Sequence, residues 1–139
     1  YILSISLRDF YYLLEMNLTG LLTILMLVVS NVFMTFAWYG HLKMKEYSWF
    51  AGLSIFGVIM ISWAVAFFEY CFQVPANRMG FIGNGGPFSL IQLKVIQEVI
   101  TLVVFVVFST LAFKTESFRW NHLLAFILLI IAVYLVFKK

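Results

Sequence analysis

The sequence predicts an all-α membrane protein, built as a bundle of four transmembrane helices, from three observations. Hydrophobic residues make up 64% of the 139 residues and charged residues 11%, whereas soluble domains average about 45–50% and about 25%. The mean hydropathy is +1.03, and the apolar residues fall into long runs that one water-soluble core could not hide. Runs such as VVFVVF are apolar on every face, which argues against a membrane β-barrel.

Three of the four spans follow from uncharged runs that end at charged or aromatic residues, as membrane crossings do. They are predicted at about 18–40, 48–70 and 120–137. The first run ends at Trp38 and Tyr39, an aromatic pair suited to the membrane interface. Each of these runs is long enough, or nearly so, to cross the hydrocarbon layer.

The remaining span, third along the chain, is placed by its length. Only the uncharged residues between Glu98 and Lys114 are available, and they are fewer than the roughly 20 that a crossing helix needs. The helix must therefore extend back to give a span of about 92–113. This puts Glu98 inside the membrane, while the long side chain of Lys94 can reach outward to the interface.

Residues 1–15 are predicted to be an N-terminal extension, with the membrane domain covering 16–139. Met16 could be the natural start, because the chain begins with a tyrosine. On that interpretation the extension is an interfacial helix that places Tyr11 and Tyr12 at the lipid headgroups.

Lysine and arginine are divided almost evenly between the two sides of the predicted bundle, four against three to five according to how the ends are counted. Orientation in the membrane follows the Lys/Arg bias of the loops. Near balance permits insertion in both directions and hence an antiparallel homodimer. A single, weakly specified orientation is the alternative.

The polar chemistry of the membrane domain collects between Glu69 and Glu98, around a connection rich in glycine and proline. Ionisable groups within a membrane are costly and usually face a cavity or a partner. The candidate residues for solute binding or proton coupling are Glu98, Glu69, Asn31, Gln73, Lys94, Gln97 and Arg78. The glycines at 80, 83, 85 and 86 predict a flexible loop and match no phosphate-binding motif.

Each leading candidate has a plainer interpretation. Glu98 could carry a proton in exchange for a solute, or it could only pair with Lys94 one helical turn away. Glu69 could lie at the same depth and line one vestibule with Glu98, or it could sit at the headgroups and pair with Arg78 or Lys94. Asn31, in the middle of the first span, could bind solute or hydrogen-bond across helices, which is the commoner role.

Other function classes find little support in the sequence. It contains one cysteine and two histidines, and no protease, esterase or metal-binding motif, so we expect neither an enzyme nor a cofactor. The basic residues are dispersed at the ends of apolar runs, which indicates topology markers and contacts with the lipid bilayer instead of a nucleic-acid surface.

The chain resembles an uncharacterised small four-helix family, domain of unknown function 486, of the drug/metabolite transporter (DMT) superfamily. The likeness lies in SNVFMTFAWYGHLK, FFEYCFQVPANRMG, FSLIQLKVIQEVITLVVFVVFS and WNHL, and it extends from Met16 to the C-terminus. It implies a fold and a superfamily, but no active residues, because the substrate of the family is not established.

The resemblance also implies a relationship to the small multidrug resistance transporters, which are better understood. These are four-helix antiparallel dimers that exchange protons for cationic drugs. Their working carboxylate lies in the first helix, where this chain has Asn31, and the third helix here lacks their glycine-rich packing pattern. The resemblance therefore implies a similar architecture without the same proton site. If protons are used, Glu98 or Glu69 must carry them.

Taken as a whole, the sequence predicts a small transporter in the bacterial inner membrane for a polar or cationic solute. We expect a homodimer, because four short helices offer little room for an internal path. The alternative is a non-transporting scaffold or accessory subunit, whose polar residues only hold helices together.

Overall fold

The computed structural model describes residues 7–113 and 119–138, and nearly all of these residues are helical. The helices are α1 (Leu7–Thr35), α2 (His41–Met44), α3 (Ser48–Ala51), α4 (Ile55–Gly80), α5 (Leu90–Ala112) and α6 (Trp120–Phe137). A π-helical turn, Phe36–Gly40, joins α1 to α2 without a break. Within these described ranges, four helical segments are long and apolar enough to cross a membrane: 7–44, α4, α5 and α6. The predicted all-α, four-helix membrane fold is confirmed.

The first helix runs through the boundary that the sequence predicted at Met16. Residues from Leu7 onward belong to the same helix as the first span, so the helix itself does not mark off a separate interfacial segment. The predicted division into an extension and a membrane domain stays a prediction. The first six residues, which that prediction also covers, lie outside the described part of the chain.

The second long helix, α4, is shifted along the chain from the predicted span of 48–70. It begins after Ser54, whose hydroxyl accepts a hydrogen bond from the Gly57 N–H at 3.2 Å. It then continues through Pro75 to Gly80, although proline removes one helical hydrogen bond and usually bends or ends a helix. Glu69 therefore lies well inside α4 and not at its end, where the sequence predicts it.

α1 is the central helix, and it packs against both α4 and α5. Its buried residues recur every three or four positions: Gly20, Thr23, Leu27, Ser30, Asn31 and Thr35. Small and hydroxyl side chains of this kind let membrane helices approach closely. At Gly80 of α4, an added Cβ would lie 2.6 Å from the Thr23 methyl group, so the two helices touch almost backbone to backbone there.

The outermost helix is α6, which packs mainly against α5. None of its residues is buried, so most of its apolar surface faces away from the other described helices. In a membrane this surface would meet lipid or another protein chain.

The connection between α4 and α5 is compact, which corrects the expectation of a flexible loop. Phe88 donates its N–H to the Gly80 carbonyl at 2.9 Å and accepts from Ile82 at 2.7 Å. Gly85 adopts φ +84°, a conformation that favours glycine. The ring atoms of Pro87 and Phe88 lie against Gly20 of α1. This loop therefore closes one end of the bundle and fixes where α5 begins.

Candidate functional site

The seven candidate residues fall into separate groups in the structure. Asn31 and Gln73 join helices in the core, while Lys94, Gln97 and Glu98 line a cavity beside α5. Arg78 lies by a neighbouring cavity, and Glu69 stands apart from both. The structure thus places together only part of the predicted cluster.

Gln73 connects α4 to α1. Its side-chain oxygen accepts a hydrogen bond of 2.7 Å from the hydroxyl of Ser30, and both side chains are buried. Gln73 follows Glu69 by one helical turn and precedes Ala76, which is also buried. The bond therefore lies within the face of α4 that packs on α1, and it accounts for Gln73 as a residue that fastens two helices.

Asn31 connects α1 to α5, and it is completely buried. Its amide nitrogen donates to the Leu27 carbonyl at 2.8 Å, and its amide oxygen lies 2.5 Å from the hydroxyl oxygen of Thr101. That hydroxyl is also 2.8 Å from the Gln97 carbonyl, so its single proton serves either acceptor. With both its polar atoms occupied by protein groups, Asn31 is placed to hold α1 against α5.

Asn31→Leu is expected to lower the free energy of unfolding by about 1 kcal/mol, a typical contribution of a hydrogen bond between membrane helices. The loss is modest because Thr101 can still donate to the Gln97 carbonyl. Unfolding of the purified protein in detergent by increasing SDS would measure the change. Asn121→Leu makes the same substitution at an exposed position of α6 and should have little effect; equal losses in the two variants would contradict a joining role for Asn31.

The Glu98 cavity is a cleft of about 500 Å³ beside α5, closed on one side by α1 and touched by α6. α5 contributes Lys94, Gln97, Glu98, Thr101, Leu102 and Phe105; α1 and the π-turn contribute Met34, Thr35, Trp38 and Tyr39; α6 contributes Leu129. The polar side chains come mainly from one helix and the aromatic rings from another. A volume of this size suits a small organic molecule.

Within this cavity Glu98 and Lys94 form an ion pair across one turn of α5. The side chains remain 54% and 67% exposed, so neither charged group is sealed inside the protein. The pairing with Lys94, which is the plainer interpretation of Glu98 in the sequence, therefore exists, but it lies in an open cavity. Lys94 balances the charge of Glu98 without blocking access to it.

Arg78 lines a second cavity, of about 410 Å³, beside the start of α5 and the loop that precedes it. Lys94 and Gln97 line this Arg78 cavity as well as the Glu98 cavity. Arg78 itself is exposed. The two cavities consequently adjoin at Lys94, whose side chain can reach either.

Glu69 does not share a vestibule with Glu98, which corrects that expectation. It is not among the residues that line the Glu98 cavity, and it lies half-buried on α4. Among the described residues it forms no ion pair or hydrogen bond, so the expected partnership with Lys94 or Arg78 is absent there as well. Glu69 is therefore an unpaired carboxyl within a membrane-spanning helix.

The contribution of the π-turn to the site is not evident from the sequence. Trp38 and Tyr39 look like interfacial anchors in the sequence, yet both line the Glu98 cavity. A π-turn accommodates one residue more than an α-turn and so rotates the side chains that follow it. A single sequence has no reliable signal for such a turn, because its local pattern is that of an ordinary apolar helix.

One sequence family matches most of the chain. It is described as "Putative member of DMT superfamily (DUF486)", and the match covers residues 23–137. No curated protein and no solved structure shows significant similarity to the chain.

Proposed function

The chain belongs to the DUF486 family of the DMT superfamily, and from this premise we propose that it transports a small cationic solute through the Glu98 cavity. Family membership and four apolar helices make it an integral, multi-pass membrane protein. They support a membrane transporter in general terms. The solute, the coupling and the residues involved are our proposal.

The observation that carries this proposal is an accessible carboxylate in a cavity at membrane depth. Glu98 lies eight residues into α5, or about 12 Å along a helix that rises ~1.5 Å per residue. Charged groups are costly at that depth, and those that occur there usually face a cavity or a partner. Glu98 has both, the cavity and Lys94. Trp38 and Tyr39 add aromatic surface to the same cavity, and aromatic faces attract organic cations.

We infer that the solute exchanges with Lys94 as the partner of Glu98. A bound cation would take the place of the ammonium group, so the local charge would stay balanced during binding. The displaced Lys94 side chain has somewhere to go, because it also lines the Arg78 cavity. Its flexible four-carbon stem permits this movement.

The experiment that tests transport is an uptake screen in proteoliposomes, using a panel of organic cations and polar metabolites. We expect saturable uptake of at least one cation and none of the acidic metabolites. Uptake of anions only would contradict the role given to Glu98, and no uptake beyond that of protein-free liposomes would count against transport.

We propose that Glu69 is the residue that couples transport to protons. An unpaired carboxyl can gain or lose a proton without breaking an ion pair, whereas Glu98 is already engaged with Lys94. Glu69→Gln is expected to leave solute binding within about twofold of wild type and to abolish the stimulation of uptake by a pH gradient. Glu15→Gln is the matched control, because Glu15 is exposed and lies near the start of α1.

Stimulation that survives in Glu69→Gln would contradict this assignment. Loss of solute binding in the same variant would also contradict it, because Glu69 would then belong to the binding site or to the packing of α4. Uptake driven by a pH gradient and equilibrium binding therefore have to be measured on the same preparation.

A scaffold or accessory subunit is the second candidate. Two hydrogen bonds favour it, because Ser30 with Gln73 and Asn31 with Thr101 use polar side chains to join helices. They do not involve Glu98, which faces a cavity. The uptake screen separates the two candidates, since a scaffold predicts no flux of any solute.

We also propose a homodimer in the bacterial inner membrane. The outer surface of α6 and an exposed aromatic stripe of α4, Trp63, Phe67 and Tyr70, offer surface for a second copy or for lipid. The near-balanced Lys/Arg distribution is compatible with an antiparallel arrangement.

A further inference from the structure

Three cavities lie in series along α5. The Arg78 cavity and the Glu98 cavity share Lys94 and Gln97. A third cavity, of about 530 Å³, is lined by Val106, Ser109 and Thr110 farther along the same helix, with Phe113 and His122 at its end. We call this the His122 cavity. Each cavity thus begins where the previous one ends.

The series is long enough to cross a membrane. Residues of α5 and its end that line these cavities run from Leu90 to Phe113, a helical length of about 35 Å at ~1.5 Å per residue. The hydrocarbon layer is ~30 Å thick. Hydroxyl groups of Ser109 and Thr110 and the imidazole of His122 make the far cavity partly polar, so a solute leaving Glu98 would find polar groups ahead of it.

A pair of aromatic rings separates the Glu98 cavity from the His122 cavity. Tyr39, Leu102 and Phe105 line both cavities. The rings of Tyr39 and Phe105 lie 4.8 Å apart between centroids, tilted by 58°. Among the described residues the Tyr39 hydroxyl has no hydrogen-bond partner, and the ring contact with Phe105 is the interaction that the structure records for this side chain.

Tyr39 occupies this position because of the π-turn Phe36–Gly40. π-turns within α-helices are frequent at functional sites. Here the turn lies within a continuous helical segment of 38 residues, at the level where the two cavities meet. A small change of register in the turn would move the Tyr39 ring relative to Phe105 without disturbing the core at Asn31.

We propose that Tyr39 and Phe105 form an aromatic gate on a solute path that runs along α5 within one protomer. This inference rests on the proposed transport function and adds the route that the solute takes through the protein. It also removes the argument that a four-helix chain needs a dimer to make room for a path. The dimer then serves other purposes, such as covering α6.

Thiol labelling tests the gate without requiring any transported solute. In a Cys71→Ser background, since Cys71 is exposed, Ser109→Cys would report on the His122 cavity. Ile82→Cys, at an exposed position of the α4–α5 loop, would show which side of the vesicle membrane that loop faces. A small, membrane-impermeant, cationic thiol reagent is added to that side of sealed vesicles. Removing the gate ring with Tyr39→Ala is expected to increase the labelling rate of Ser109→Cys about tenfold, as removal of an apolar constriction would.

Phe36→Ala is the matched control, because Phe36 also links the π-turn to α5 through a ring contact, edge-to-face with Phe108 at 5.3 Å between centroids. Phe36 and Phe108 are absent from the linings of the three cavities. We expect no change in Ser109→Cys labelling with this variant, and none with Tyr39→Phe, which keeps the ring. Phe105→Ala removes the other half of the pair and should match Tyr39→Ala.

Equal labelling rates in Tyr39→Ala, Phe105→Ala and wild type would overturn the gate, whether or not the protein transports. Equal increases in Tyr39→Ala and Phe36→Ala would also overturn it, because loosening of α1 from α5 would then explain both. If Tyr39→Ala raised the labelling rate but no tested solute was taken up, the path along α5 would still be supported. The result would then count against the proposed class of transported solute. Labelling of Ile82→Cys by reagent added to the opposite side measures the fraction of protein that is inserted in the inverted orientation. The contribution of that fraction is subtracted from the labelling of Ser109→Cys.

Discussion

Glu98→Gln is expected to reduce uptake of the transported cation about 10- to 100-fold at concentrations below saturation. An interaction with a charged group contributes roughly 1.5–3 kcal/mol, which corresponds to that loss of affinity. Glutamine keeps the size of the side chain and can still hydrogen-bond, so the cavity should retain its shape. The loss would therefore come from the missing negative charge, and it should appear in the substrate affinity more than in the maximal rate.

Glu46→Gln is the control for this substitution. Glu46 pairs with Lys43 at 2.7 Å between oxygen and nitrogen, three residues apart on the surface, and it lines none of the three cavities along α5. Uptake by this variant should equal that of wild type, as removal of an exposed pair has little effect. Unchanged uptake in Glu98→Gln would remove Glu98 from the binding site.

Gly86→Ala is expected to destabilise the protein by about 3 kcal/mol, near the upper end for overpacking. A methyl group at this buried residue would lie 2.2 Å from the Met79 carbonyl oxygen and 2.4 Å from the Gly80 carbonyl carbon. These backbone atoms end α4, and the Gly80 carbonyl holds the Phe88 N–H. The loop cannot move aside without losing the hydrogen bonds that close it. Unfolding in SDS and the yield of monodisperse protein would measure the effect.

Gly52→Ala tests the same chemical change where there is room. The nearest atom to an added Cβ there is the Ser48 carbonyl oxygen at 3.9 Å, an ordinary contact. We expect a change below about 0.5 kcal/mol, as for a typical surface substitution. If both glycine variants were equally stable, the close approach of the loop to the end of α4 would be contradicted.

The sequence was sufficient for the fold because lipid imposes simple requirements. Long uncharged runs have to be helices in a membrane, and their lengths placed Glu98 within a span, where α5 has it. Helix ends were harder, since they depend on packing. α4 continues through Pro75 because Gln73, Ala76 and Gly80 are buried in the contact with α1. The local sequence around Pro75 does not predict that contact.

Within the candidate site, the sequence predicts relations between residues of the same helix but not the contacts between helices. The pairing of Glu98 with Lys94 follows from their spacing of four residues. The roles of Asn31 and Gln73 depend on which residues face them, Thr101 and Ser30, and these lie far away in sequence. The separation of Glu69 from the Glu98 cavity likewise depends on how α4 is rotated against α1, which apolar composition alone does not determine.

The exchange of a cation for Lys94 at Glu98 is tested most directly by equilibrium binding of a transported cation to wild type and to Lys94→Met. We expect the variant to bind the cation about tenfold more tightly, because the solute no longer competes with the ammonium group for the carboxylate. Melting temperatures of the two proteins would show whether the variant is folded. Weaker binding by a folded Lys94→Met, in parallel with Glu98→Gln, would contradict exchange and show that the ion pair only supports the structure.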